Sequence, residues 1–74
     1  MKKREGKRAA RNARRKQQLL ASRELQNILT DLNSAYLRFN QVVDPELTDA
    51  CIFEIRALRC HYSAMLQHTK SLFD

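Results

Sequence analysis

The sequence predicts an all-α protein, an antiparallel two-helix hairpin (αα-hairpin) preceded by a basic N-terminal arm. Three observations predict it. The chain has one Pro and one Gly in 74 residues, so it has room for very few turns, and the Pro sits in Asp44-Pro45. On each side of that dipeptide an apolar stripe recurs at steps of four and three, the spacing of one helix face. The basic residues are gathered outside both stripes, at the N-terminus.

The arm comes first. Residues 1–16 hold nine Lys or Arg against the single acid Glu5, a net +8, whereas residues 17–74 carry a net −2. No large apolar residue follows Met1 in this stretch. Ala9, Ala10, Ala13 and the Lys and Arg residues favour helix, while Gly6 and charge repulsion oppose it. The arm is therefore expected to be disordered, or a frayed helix, until a polyanion binds it. Coiled, it would carry Arg4, Lys7, Arg8, Arg11, Arg14 and Arg15 on one face.

The second unit is residues 17–74, with helices expected over 17–42 and 45–72. In the first helix the stripe is Ala21, Leu25, Ile28, Leu29, Leu32, Tyr36, Phe39 and Val43. Asp44 must leave the helical region because Pro45 follows it. Asp44 is also a good N-cap, and Pro45 suits the first helical position, where its missing N–H costs nothing. Glu46 and Asp49 place negative charge at the positive end of the second helix dipole. The second stripe is Leu47, Cys51, Ile55, Leu58, Tyr62, Met65, Thr69 and Leu72.

A short loop between long helices makes them antiparallel neighbours. Folding the chain there sets Phe39 opposite Cys51, Tyr36 opposite Ile55 and Leu32 opposite Leu58. Leu29 then meets Tyr62, Leu25 meets Met65 and Ala21 meets Thr69, where both stripes weaken together. The arm is left projecting past the end of the second helix, near its negative C-terminus and Asp74.

Two helices bury little, and an isolated hairpin of this size is marginal. Several apolar side chains also lie off the stripes. Leu37, Ile52 and Phe53 near the turn, and the alanine line Ala50, Ala57 and Ala64, are the expected contacts for a second copy or a protein partner.

Enzymatic chemistry finds no constellation. His61 and His68 are seven residues apart, about 10 Å along a helix, too far for one metal ion. Ser22, Ser34, Ser63 and Ser71 lack a Gly-rich elbow or a base at useful spacing. No cofactor and no metal are expected. Cys51 and Cys60 would lie roughly 13 Å apart along one helix and on opposite faces, so they cannot bridge each other. Reduced cysteines, no leader pattern and no apolar run of about 20 residues give a cytoplasmic expectation.

The run Val43-Asp44-Pro45-Glu46-Leu47-Thr48-Asp49-Ala50-Cys51-Ile52-Phe53-Glu54-Ile55-Arg56-Ala57, with Tyr62, Leu66 and Lys70 beyond it, resembles the YaaL-like family of short bacterial proteins. The resemblance covers about residues 39–70. It implies a small helical cytosolic protein and carries no activity, ligand or catalytic residue. Leu58-Arg59-Cys60-His61-Tyr62 departs from the family's usual acidic or Gln residue followed by Arg-Tyr. The arm lies outside the matching region.

Function is therefore read from charge. The expectation is a non-enzymatic binding or adaptor protein whose Lys7, Arg8, Arg11, Arg14, Arg15 and Lys16 hold a polyanion, nucleic acid first. The alternative is a protein-interaction or structural module that dimerises or docks through the hairpin, its arm gripping an acidic protein surface. An anionic membrane surface is disfavoured, because Leu19 and Leu20 alone give the arm little to insert.

Overall fold

The computed structural model describes the backbone of residues 2–74 and the side chains of residues 6–74. Helix α1 spans Lys2–Gln41 and helix α2 spans Pro45–Phe73, packed against each other as a hairpin. Among the described residues there is no strand. The molecule is a rod, 66 × 15 × 13 Å.

The turn forms as its residue types dictate. Asp44 is extended, at φ −72° and ψ 126°, as a residue before proline must be. Its side chain accepts a hydrogen bond from the Glu46 N–H at 2.9 Å, and Pro45 opens α2. The Asp44 carbonyl accepts from both the backbone N–H and the hydroxyl of Thr48, each at 2.9 Å. The Asp44 side chain thus satisfies a donor that the first turn of α2 would otherwise leave free, while its carbonyl accepts the first regular bond of the helix.

Between the helices lies a seam with alternating steps of three and four, from Gln18 on α1 to Val42 just past its end, and from Thr48 to Leu72 on α2. That 3.5-residue repeat is the coiled-coil pattern. Its innermost residues are Ala21, Ile28 and Ala35 on α1, and Cys51, Ile55 and Thr69 on α2. The buried Thr69 hydroxyl donates to the Met65 carbonyl at 2.7 Å, so it brings no unmet polar atom into the seam.

The expected stripes need four corrections, the first being that Leu29, set opposite Tyr62 by the sequence, lies beside the seam, where Ile28 is buried instead. Ala35, not Tyr36, is enclosed: Ala35 has no exposed surface, and Tyr36 is 41% exposed. Val42 is half-buried and Val43 lies open in the turn. On α2 the stripe begins at the half-buried Thr48, with Leu47 exposed. Once Leu32 and Phe39 are in the seam, a 3.5-residue repeat admits Ala35 and Val42 and turns Tyr36 and Val43 outward, and the same repeat carried back from Cys51 on α2 admits Thr48 in place of Leu47.

Helix α1 takes in the arm and runs continuously from Lys2. Starting a helix costs far more than extending one, and the seam supplies the start. The alanines and long basic residues then only have to propagate it. Gly6 has no positive φ, and a Cβ built on it would meet nothing within 4 Å.

Candidate nucleic-acid interface

Helix α2 ends beside the middle of α1. There the Gln18 side-chain amide donates to the Leu72 carbonyl at 2.8 Å, and Arg14 Nε donates to the same oxygen at 3.3 Å. These bonds satisfy a carbonyl of the last turn, which has no partner within its own helix. From Arg14 toward the N-terminus, α1 has no helix beside it.

The unaccompanied part carries the basic residues, and those from Lys7 to Lys16 are all exposed. At about 100° per residue, Lys7, Arg8, Arg11, Arg14 and Arg15 fall within one third of the helix circumference. Lys16 falls on the other side and does not join them. Arg4, expected on the same face, lies outside the described side chains. The steps of three and four that define the seam continue backward from Gln18 through Arg14, Arg11 and Lys7. The line that is apolar beside α2 therefore becomes basic where α2 stops. Arg14 belongs to both regions, tying down α2 with Nε while its other guanidinium N–H groups remain available.

The hairpin has two unlike edges. The residues immediately before alternate seam positions form a polar edge. It includes Glu24, Asp31 and Arg38 on α1 and Glu54, His61 and His68 on α2. Arg38 and Glu54 form an ion pair across it, with both side chains substantially exposed. Glu24 and His68 line an open groove on this edge with Ala21, Met65 and Leu72. Ala50 lines another with Arg38 and Glu54, and Ala57 a third.

The opposite edge is made of residues that immediately follow seam positions. Leu29 and Tyr36 on α1 and Ile52, Leu66 and Phe73 on α2 make it apolar. Leu29, Ile52 and Leu66 are half-buried there, and Tyr36 and Phe73 are exposed.

The expected partner contacts do not come together as one surface. Ile52 lies on the apolar edge, and the alanine row flanks the polar edge. Leu37 and Phe53, 63% and 70% exposed, point outward from their separate helices. The sequence signal for the apolar edge was the recurrence of large apolar residues one place after seam positions, as at Leu29, Tyr36, Ile52 and Leu66.

Both cysteines are free, Cys51 buried and Cys60 exposed. Among the described residues no three of His, Cys, Asp and Glu converge as a metal set. Among the same residues no helix is long and apolar enough to cross a membrane. Comparison with protein-family models, with curated proteins and with solved structures returned no match.

Proposed function

We propose that this is a non-enzymatic binding protein whose N-terminal arm associates with a polyanion, nucleic acid in the first place. The observation that carries the reading is the change in character of one line along α1, from apolar beside α2 to basic beyond it. A helix with Lys7, Arg8, Arg11, Arg14 and Arg15 on one side offers closely spaced cations to a phosphate backbone. Such contacts neutralise phosphates and release counterions, so they confer affinity with little sequence preference. The resemblance to the YaaL-like family adds no activity to this reading. The two free cysteines suit a reducing compartment, and the cytoplasm is the proposed location.

The test is retention on duplex DNA and on RNA as salt is varied. With about six phosphates engaged, log affinity on duplex DNA falls with log salt at a slope of about −5. Deleting residues 2–16 abolishes retention. Retention unchanged by that deletion, or none by the intact chain at low salt, overturns the reading.

A second reading, a module that docks to itself or to another protein through the hairpin, is favoured by the apolar edge.

A further inference from the structure

We infer that the apolar edge is a twofold interface between two copies of this chain, packed antiparallel as a four-helix assembly. The inference deepens the docking reading and rests on it, and it is independent of what the arm binds.

The edge is built to be covered. Leu29, Tyr36, Ile52, Leu66 and Phe73 follow the seam along the length of the hairpin, and a single charge, Arg59, lies among them. Tyr36 is 41% and Phe73 59% exposed. Leu19, 55% exposed, lies beside it and extends the open apolar surface. A narrow strip of this kind belongs with the weak interfaces that bury less than about 1,200 Å² in total.

The arrangement of residues points to a second copy as the occupant. Leu29 and Arg59 lie within two residues of one level, midway along the edge. A twofold axis at that level, perpendicular to the rod, lays α1 along α1 and α2 along α2. It brings Ile52 of one copy within two residues of Leu66 of the other. In the row just outside, Asp49 of one copy comes within one residue of Lys70 of the other, and Gln26 within one residue of Asn33. One surface thus supplies both halves of its own apolar, ionic and amide contacts, as an isologous interface requires. The axis also sets Arg59 near its counterpart, the one unfavourable pairing, which weakens the dimer without displacing it.

Sedimentation equilibrium of the full chain tests this from low micromolar to submillimolar concentration. The expected result is a monomer–dimer equilibrium. Asp49→Lys weakens dimerisation roughly tenfold, since two exposed pairs turn repulsive, and Lys70→Asp added to it restores most of the loss. Arg59→Leu tightens the dimer severalfold. Tyr36→Glu, at a position already half open to water, abolishes the dimer while helicity by circular dichroism is retained. A dimer indifferent to the charge swap and to Tyr36→Glu overturns the proposed interface and leaves docking through another face. A strict monomer throughout, with native helicity, overturns self-association altogether and leaves the docking reading only a foreign partner.

Discussion

Gln18 and Leu72 are joined by a hydrogen bond of 2.8 Å across 54 positions of sequence. The bond marks the level at which α2 stops and α1 goes on alone, and it fixes the open end of the hairpin. Arg38 and Glu54, across the polar edge, do the same nearer the turn. The register expected from matched stripes, with Ala21 at Thr69 and Phe39 at Cys51, agrees with both ties.

Removing the first tie should loosen one end of the molecule selectively. Gln18→Ala is expected to cost about 0.5–1.5 kcal/mol, the net worth of one partly buried hydrogen bond. Amide exchange in the last two turns of α2 should accelerate, while the turns around Ile55 keep their protection. Equal acceleration along the whole of α2 would show that Leu72 is not held locally.

Ala35 and Tyr36 give opposite responses to substitution. Ala35 has no exposed surface, so Ala35→Leu forces extra carbons into the seam and should cost about 1–3 kcal/mol in urea denaturation. Tyr36→Ala should cost the monomer less than Ala35→Leu, because Tyr36 lies beside the seam and not in it. A reversed order would restore Tyr36 to the seam and displace the 3.5-residue repeat.

The Asp44 cap is separable from Pro45. Asp44→Ala loses the bond to the Glu46 N–H and should destabilise by about 1 kcal/mol. Asp44→Asn keeps a capping oxygen and should recover most of that. Pro45→Ala should change stability by less than the cap, since the position has no helical acceptor to lose and the effect falls mainly on the unfolded chain. Thermal melts of the three variants check the order.

Within the arm, position on the helix should outweigh charge alone. Replacing Arg8, Arg11, Arg14 and Arg15 with Ala is expected to flatten the salt dependence on duplex DNA by about 3 or more. Lys16→Ala removes one charge from the other side and should change the slope less than Arg11→Ala. Equal effects of these two single substitutions would mean that the arm binds without presenting a face.

Asp44 and Pro45 determine locally where α1 must end and α2 begin, because a residue before proline is driven from the helical region and an aspartate there caps the second helix. Apolar steps of three and four determine that two helices share a seam, and their joint weakening at Ala21 and Thr69 determines the register. The charge division determines that the N-terminal sixteen residues differ from the rest. None of these needs long-range information. The choice of Ala35 over Tyr36, and of Thr48 over Leu47, was decided only when two helices met, since adjacent residues are equally available to a stripe until a partner sets the repeat. The same contact turned Leu29, Tyr36, Ile52 and Leu66 onto one edge, and Arg38 and Glu54 onto the other. It also carried α1 through the basic arm, because a helix already started by packing extends at little cost where an isolated one would not begin.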